Sequence, residues 1–229
     1  MTNYKFKKNR KKKAVVLLSG GLDSSVSLYY ALSKGYEAHC LTFDYGQRHK
    51  KEIELARQIA KKAKSKWQLV KIALPWKGSS LLDRKQKIPQ QRKIDAAVPS
   101  TYVPARNIIF LSFAASFAES VNAQAIFIGA NEIDYSGYPD CREEFLNAFS
   151  LALEKGTKCG IQGFKTRIRA PLVKKNKQQI VKLAVRLGVP LELTWSCYLG
   201  GKKPCGVCDS CRLRQKGFAQ AKTKDPAGC

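Results

Sequence analysis

Short apolar runs alternate along the chain with segments in which apolar residues recur at helical spacing. Residues 14–18 form an apolar run that predicts a buried strand, and a Gly-rich turn leads from it into a predicted helix over residues 23–33. Further strands are predicted over residues 37–43, 67–74, 125–129 and 165–170, and further helices over 52–63, 107–120, 142–155 and 176–187, the last with Asn176 as N-cap and Gly188 as the stop. This alternation predicts an α/β fold with a doubly wound parallel sheet.

Two stretches depart from the alternation. Residues 74–106 contain four prolines and little periodicity, so we expect this long connection to be functional or mobile. From about Leu191 the chain becomes rich in Cys, Gly and Pro and shows no helical periodicity. The sequence therefore predicts a tail over residues 1–13, an α/β domain over 14–190 and a small module over 191–229.

The predicted strands end at residues that carry chemistry. Ser19, Tyr45, Gly129 and Pro171 lie at or just beyond the carboxyl ends of these strands. Parallel sheets bind their ligands at that edge, so we expect these segments to meet in one crevice.

The charge is strongly positive, with 42 Lys and Arg against 17 Asp and Glu, for a net charge of +25. Such a charge suits nucleic-acid phosphates, but it also suits solvated helix faces and the attraction of small anionic substrates. Seven of these cations lie in residues 5–13, and we do not expect direct nucleic-acid binding. The apolar run after this tail is too short for a signal peptide, and no run is long enough to span a membrane. We expect a reduced, cytoplasmic setting.

The turn after the first strand, LSGGLDSS at residues 18–25, predicts a phosphate-binding loop. Its glycines let the backbone approach an anion, and hydroxyls and helix N-terminal N–H groups supply donors. It lacks the Lys of a Walker A loop and the spaced glycines of a dinucleotide fingerprint, and a plain turn capped by Asp23 is the alternative. The predicted ATP-binding residues are Leu18, Ser19, Gly20, Gly21, Leu22, Asp23, Ser24 and Ser25.

Four of the eight cysteines predict a metal site. Cys197, Cys205, Cys208 and Cys211 have the spacing C-x7-C-x2-C-x2-C, which suits a closed, structural zinc site. An iron–sulfur cluster, disulfides or buried thiols are alternatives. Of the other cysteines only Cys141, beside Asp140, invites a functional interpretation, and simple packing is favoured for it.

Four further segments make a recognisable set: FDYGQRH at 43–49, VPARN at 103–107, NEIDYSGYPDC at 131–141 and TWSCY at 194–198. With the phosphate loop and the cysteine spacing, residues 14–226 resemble the QueC family of queuosine biosynthesis, within the N-type ATP pyrophosphatases (the PP-loop superfamily). Gln179, where an acidic residue is expected, and Ala170, where Thr is common, depart from that pattern.

The resemblance implies an adenine nucleotide alpha hydrolase-like, Rossmann-like fold and a carbon–nitrogen ligase activity. The reaction would convert 7-carboxy-7-deazaguanine and ammonia to 7-cyano-7-deazaguanine, through an adenylated carboxylate and an adenylated amide, with release of AMP and pyrophosphate. It further implies one structural Zn²⁺ per chain, Mg²⁺ with ATP, and a homodimer. We expect free ammonium or a separate partner to supply ammonia, since the length leaves no room for a glutaminase domain.

Site roles follow from the matched segments. Asp23, Arg106 and Lys177 are the predicted catalytic residues: Asp23 lies near Mg-pyrophosphate, and the two cations neutralise phosphate charge. A salt-bridged surface Arg and a solvated Lys are the alternatives. The predicted substrate-binding residues are Gln47, Arg48, His49, Asp134, Tyr138 and Asp140. For Asp140 an N-cap of the next helix, and for residues 47–49 a polar helix start, remain open.

Two other functions remain alternatives. One is a tRNA-modifying pyrophosphatase such as a thiolase or lysidine synthase, which the net charge permits. The other is a zinc-ribbon RNA-binding module. The missing RNA-binding domain disfavours the first, and the intact phosphate loop disfavours the second.

Overall fold

The core of the fold is a parallel sheet, seen in a computed structural model that describes residues 11–76, 78–90, 98–131 and 138–228. The strand order in this five-stranded sheet is β3-β2-β1-β4-β5. All neighbouring strands pair in parallel. The strands are β1 (Lys13–Leu17), β2 (Glu37–Asp44), β3 (Lys66–Lys71), β4 (Ala125–Phe127) and β5 (Arg167–Arg169). The chain runs outward from β1 to β3 and then returns to the other side of β1, so the strand order reverses between β1 and β4.

Helices cover both faces of the sheet. They are α1 (Leu22–Ser33), α2 (Lys51–Lys62), α3 (Arg106–Val121), α4 (Glu143–Gly156), α5 (Lys158–Ile161), α6 (Lys177–Arg186) and α7 (Asp209–Gln220), with short 3₁₀ turns at Pro139–Cys141 and Leu191–Leu193. Successive strand side chains point to opposite faces. Val15 therefore packs in the core under α3, and Val16 packs in the core under α1 and α2. The doubly wound fold predicted from the sequence is confirmed.

The element boundaries agree closely with the periodicity. The predicted helix over residues 176–187 is observed as α6, and Asn176 is its N-cap. The Asn176 side chain accepts a bond from the Gln179 backbone, and the Gln179 side chain accepts one from the Asn176 backbone. Gln179, which departs from the family pattern, thus completes a capping box that stabilises the start of α6.

The last part of the chain contains a helix, although its sequence shows no helical periodicity of apolar residues. Helix α7 runs from Asp209 to Gln220, and its buried residues are Cys211, Arg214, Gly217 and Phe218. These residues have helical spacing, but three of them are a thiol, a cation and a glycine. The hydrophobic pattern therefore did not reveal the helix.

Helix α7 packs tightly against α6. A Cβ atom on Gly217 would lie only 2.7 Å from the Cβ atom of Lys177, so this contact requires glycine. Phe218 is buried in one apolar cluster with Ile180 and Val181 of α6. The division at residue 191 stays a prediction, although the last helix and the α/β core share an apolar contact.

Within the described parts of the chain, no helix combines the length and the apolar character needed to cross a membrane. The predicted basic tail lies largely outside the described residues, since the description begins at residue 11.

Candidate active site

A crevice opens at the carboxyl ends of β1, β2 and β4, where the sequence places its motifs. Ser19, Tyr45 and Gly129 all line it, whereas Pro171 does not. The long connection after β3 contributes Leu81 and Thr101 to its wall. The predicted convergence of the strand ends is therefore confirmed for three of the four positions.

The phosphate loop joins β1 to α1 at one end of this crevice. Gly20 has a positive φ of 84°, and a Cβ atom on it would lie 2.2 Å from the backbone oxygen of Glu52. Gly21 is the N-cap of α1, and no described side chain caps the helix. The first-turn N–H groups are thus left for an anion, and the alternative of a turn capped by Asp23 is wrong.

The serines of the loop hold its shape. The Ser24 hydroxyl accepts a bond from the Ser19 backbone N–H at 3.2 Å and donates to the Gly21 carbonyl at 3.1 Å. The Ser25 hydroxyl donates to the same carbonyl at 2.7 Å. These bonds fix the turn so that its N–H groups are oriented before a ligand arrives.

Asp23 and Lys177 meet across the crevice. The Lys177 ammonium lies 2.5 Å from Asp23 Oδ2, and Asn131 donates to the same oxygen at 3.1 Å. The Lys177 side chain is only 17% exposed, so the alternative of a solvated lysine is wrong. The other oxygen, Asp23 Oδ1, is buried and has no hydrogen-bond partner among the described residues.

This free oxygen fits a divalent cation. Mg²⁺ is a hard ion that prefers oxygen ligands, and it is usually held by one or two carboxylates together with substrate phosphates. Asp23 Oδ1 is such a ligand, and it stands at the start of the helix whose N–H groups face the loop. The residues present therefore fit Mg²⁺ bound with ATP.

Arg106 is the first residue of α3 and lines the crevice. Burial acts to lower the pKa of its guanidinium, but Tyr45, Cys141 and Tyr138 outweigh this effect and the pKa is raised. Arg106 is therefore a permanent cation inside the site. Arg106 is half-buried in the crevice lining, which disfavours the alternative of a surface arginine.

The predicted substrate residues of the 131–141 segment divide into three cases. Tyr138 lines the crevice, and its hydroxyl lies 3.1 Å from that of Thr101. Asp134 lies outside the described residues. Asp140 is buried, is absent from the crevice lining, and its carboxylate accepts a 2.9 Å bond from the Asn107 backbone N–H. The structure thus makes Asp140 a support for the start of α3, and the N-cap of the next helix is Arg142.

Gln47, Arg48 and His49 line the crevice as predicted, and they lie before α2, not within it. The Gln47 side chain stabilises the turn after β2, since its Oε1 atom accepts a 2.9 Å hydrogen bond from the Tyr45 backbone N–H. Arg48 donates to the carbonyls of Ser80 at 2.6 Å and Asp83 at 2.7 Å, and also to that of Gln86. Arg48 therefore holds the connection over residues 80–86 against the crevice.

His49 stands where the crevice meets the cysteine segment. Burial is the main cause that lowers the pKa of His49, so the imidazole is neutral near pH 7. A Cβ atom on Gly200 would lie 2.1 Å from the His49 Cβ atom. The ring thus packs directly against the loop that carries the cysteines, and it is not merely exposed.

Glu52 is a crevice residue that the sequence analysis missed. It is the second residue of α2, and its carboxylate accepts a 3.4 Å bond from Gln47 Nε2. Burial raises the pKa of Glu52 to about 7, although Arg106 and Gln47 act to lower it. On the sequence it resembles an ordinary acidic residue in the first turn of a helix, which is why nothing marked it.

The four predicted metal ligands come together. The Sγ atoms of Cys197, Cys205, Cys208 and Cys211 all lie within 4.8 Å of one another. In a tetrahedral zinc site with bonds of about 2.3 Å the sulfur atoms are about 3.8 Å apart, and the Cys205 and Cys211 sulfurs are separated by 4.0 Å. The geometry therefore fits one metal ion held by four sulfur ligands. Cys208 is the N-cap of α7, so the last helix begins at the cluster.

Arg214 and Trp195 connect this cysteine cluster to the phosphate loop. Arg214 is 2% exposed and binds both carboxylate oxygens of Asp225, at 2.7 and 2.9 Å, and the Thr194 hydroxyl at 2.9 Å. The next residue, Trp195, donates its backbone N–H to the Gly20 carbonyl at 2.9 Å. The segment beside the cysteines therefore supports the loop directly.

Comparison with known proteins identifies the family. The model of a family described as "Queuosine biosynthesis protein QueC" matches residues 13–222. The chain belongs to the QueC family. The relatives of this QueC chain include a protein named 7-cyano-7-deazaguanine synthase from Thermoplasma volcanium, 54% identical over 94% of this chain and 90% of the relative. Another of the same name, from Nostoc punctiforme, is 51% identical over 93% of this chain and 98% of the relative. The resemblance inferred from the sequence is confirmed.

Solved structures support the fold of this QueC chain. A predicted subunit of a tRNA methyltransferase from Methanocaldococcus jannaschii aligns with a TM-score of 0.50 at 18% identity, covering 76% of this chain and 74% of the other. NMN synthetase from Francisella tularensis aligns with the same TM-score of 0.50 at 14% identity, over 93% of this chain and 88% of the other. At these identities the likeness concerns the fold alone.

Proposed function

We propose that the chain converts 7-carboxy-7-deazaguanine and ammonia to 7-cyano-7-deazaguanine, with two molecules of ATP cleaved to AMP and pyrophosphate. The observation that carries this proposal is the phosphate end of the crevice. There an uncapped helix start, the Asp23–Lys177 pair and the free Asp23 oxygen lie together in a chain whose QueC relatives carry the synthase name.

The first round activates the carboxylate. A carboxylate oxygen attacks the α-phosphorus of ATP, the bond from that phosphorus to the bridging oxygen breaks, and pyrophosphate leaves with the electron pair. The first-turn N–H groups of α1 and the Lys177 ammonium bind the departing phosphates. Asp23 Oδ1 would hold Mg²⁺ bound with the phosphates, and the ion would supply further charge neutralisation.

The nitrogen then enters, and the second round forms the nitrile. Ammonia attacks the acyl carbon and AMP leaves, which gives the amide. The amide oxygen attacks a second ATP in the same way, and loss of AMP and protons from the resulting imidate gives the nitrile. Arg106 in the crevice lining stabilises negative charge on the transferred phosphate, and Tyr138 supplies a ring and a hydroxyl for the deazaguanine.

The proposal is tested by product analysis. Purified protein with 7-carboxy-7-deazaguanine, ammonium and Mg-ATP is expected to yield the nitrile, AMP and pyrophosphate by mass spectrometry. ADP and orthophosphate as the first products would contradict it. Modification of tRNA without turnover of the free acid would favour a tRNA-modifying pyrophosphatase instead.

We propose Zn²⁺ as the ion of the cysteine cluster, because four thiolates without an open position suit a structural zinc ion. Metal analysis of the purified protein is expected to give one zinc per chain. Iron in place of zinc, with visible absorption, would contradict this assignment. A thiolate site of this kind also supports a reducing, cytoplasmic setting.

We also propose that two chains form a homodimer. Ile108 and Phe113 of α3 and Leu151 of α4 are 40%, 42% and 52% exposed. Both helices pack on the same face of the sheet, so these large apolar side chains suit a surface that pairs with its own copy. Light scattering is expected to give twice the chain mass for the wild type and the chain mass for Phe113→Glu. A monomeric wild type would contradict this proposal.

A further inference from the structure

Glu52 stands in the crevice, yet the reaction as described above gives it no part. Its helix begins directly against the phosphate loop, because a Cβ atom on Gly20 would lie 2.2 Å from the Glu52 backbone oxygen. Its side chain belongs to the crevice lining together with Ser19 and Arg106. A carboxyl group therefore lines the same crevice as the phosphate loop and Arg106.

The neighbours of this carboxyl include both a neutral amide and a cation. Gln47 donates to it from the connection after β2 at 3.4 Å, and the phosphate loop packs against the backbone of the same residue. Among the described residues, the titratable groups that interact with it are Arg106, from α3, and Tyr45, which precedes Gln47. Burial outweighs Arg106 and Gln47, and the pKa of Glu52 rises to about 7. A carboxyl with this pKa accepts and returns protons near neutral pH.

The reaction needs such a group twice. In the amide-forming step the C–N bond forms, the C–O bond to AMP breaks, AMP takes the electron pair, and the nitrogen is left with a surplus proton. In the nitrile-forming step the electrons of an N–H bond become part of the carbon–nitrogen triple bond as AMP leaves. Both steps require a base near the departing AMP.

Among the described residues, Asp23 is the other acidic residue of the crevice lining, and it is less suited to this task. Asp23 already binds the Lys177 ammonium at 2.5 Å and Asn131 at 3.1 Å through one oxygen, and its second oxygen fits the cation bound with ATP. Glu52 accepts from a neutral amide and interacts with Arg106. The two carboxylates thus stand in different surroundings, which separates a metal-binding role from a proton-accepting role.

We propose that Glu52 is the catalytic base that takes the proton from the substrate nitrogen as AMP departs, in both rounds. The proposal rests on the function proposed above. After each round the neutral carboxylic acid returns its proton to water, and the carboxylate is restored for the next step.

The test separates adenylation from the steps that consume it. Exchange of labelled pyrophosphate into ATP, with the free acid and without ammonium, reports adenylation alone. Glu52→Gln is expected to keep this exchange within about threefold of the wild type, and to lower nitrile formation by about 100-fold or more. The control is Glu54→Gln, whose exposed side chain pairs with Arg57 on the same helix and which is expected to change neither rate.

The pH profile gives an independent readout. With the amide as substrate, titration of ammonium plays no part, and the wild-type rate is expected to rise with pH through about 7 as Glu52 loses its proton. Glu52→Gln should lack this rise, and Glu52→Asp should recover part of the rate.

Stability distinguishes the role from a structural one. Because the folded-state pKa of about 7 lies above the ordinary value of 4.5, the folded chain binds one proton more than the unfolded chain between these two values. The stability therefore falls as the pH rises through this window, and the cost of the buried charge is complete above about pH 7. Glu52→Gln should therefore be at least as stable as the wild type at pH 8.

Three results would overturn the proposal: full nitrile formation by Glu52→Gln, equal loss of exchange and nitrile formation, or a wild-type profile flat around pH 7. If Glu52→Gln fails to fold, the wild-type profiles decide. If the rate of nitrile formation rises with pH and the rate of pyrophosphate exchange does not, the proposal is supported. If both rates rise with pH in the same way, the proposal is overturned. A wild type that shows no exchange with the free acid would instead refute the proposed function.

Discussion

The two ends of the crevice are built in different ways. The loop of the phosphate end comes from one continuous stretch, residues 18–25, in which the strand, the turn and the helix start are neighbours in sequence. The wall proposed for the organic substrate is assembled from Tyr45, Glu52 and Tyr138, which come from separate segments. A local motif carries its own geometry, whereas an assembled wall exists only after the chain has folded. We expect substitutions at the first end to affect ATP chemistry, and substitutions at the second to affect the organic substrate and its protons.

The largest effect is expected from the cysteine cluster, on which both ends depend. Cys208→Ser removes one of four thiolates, so the metal site loses its closed shell and the folding energy it supplies. We expect insoluble protein or a melting temperature lowered by more than about 10 °C, measured by thermal denaturation. Cys159→Ser, outside the cluster, is the control and should melt with the wild type. A stable, metal-replete Cys208→Ser chain without activity would point to a catalytic metal instead.

The next effect concerns the phosphate end. Asp23→Ala removes the carboxylate that holds Lys177 and offers a free oxygen to Mg²⁺. We expect pyrophosphate exchange to fall by about 100-fold or more, with thermal stability little changed. Asp44→Asn is the control, because Asp44 pairs with Lys50 outside the crevice lining. Wild-type exchange in Asp23→Ala would refute its role with Mg²⁺.

A third effect tests the link between the cysteine segment and the phosphate loop. Asp225→Ala leaves the Arg214 guanidinium buried without its bidentate partner, which is expected to cost about 3 to 5 kcal/mol of stability. The Thr194–Trp195 segment that Arg214 holds should loosen, and ATP should bind more weakly by calorimetry. Reduced stability with unchanged ATP affinity would show that the segment does not support the loop.

A smaller effect is expected at the assembled wall. Tyr138→Phe removes a hydroxyl that bonds to Thr101 but keeps the ring. The loss of one such bond is worth about 1 kcal/mol, so we expect KM for the free acid to rise about fivefold with pyrophosphate exchange at saturation unchanged. An equal loss of ATP affinity would contradict the division of the crevice into two ends.

These differences explain what the sequence could and could not predict. Residues 18–25 and the four cysteines were recognised because their chemistry depends on spacing along the chain. Glu52 was missed, and Asp140 was predicted to bind the substrate although its carboxylate accepts a bond from the Asn107 backbone. In both cases the groups that surround the side chain come from segments that are remote in sequence. Helix α7 was missed because Cys211, Arg214 and Gly217 bury a helical face without an apolar pattern. The fold was predictable, since its strands and amphipathic helices alternate regularly.

The smallest effect is expected from the basic tail. Deletion of residues 1–11 removes much of the local positive charge but leaves β1, which begins at Lys13. Turnover of the free acid should be nearly unchanged, and any RNA affinity should fall steeply with salt. A large loss of turnover on deletion would show that the tail contributes to the site.

The most direct measurement follows the oxygen atoms of the substrate. With both carboxyl oxygens of 7-carboxy-7-deazaguanine labelled with ¹⁸O, each adenylation transfers one of them to the α-phosphate of ATP. Mass spectrometry is expected to find two molecules of AMP per nitrile, each carrying one ¹⁸O atom, and unlabelled pyrophosphate. Unlabelled AMP, or ¹⁸O in orthophosphate together with ADP, would contradict activation of the substrate at the α-phosphate in this crevice.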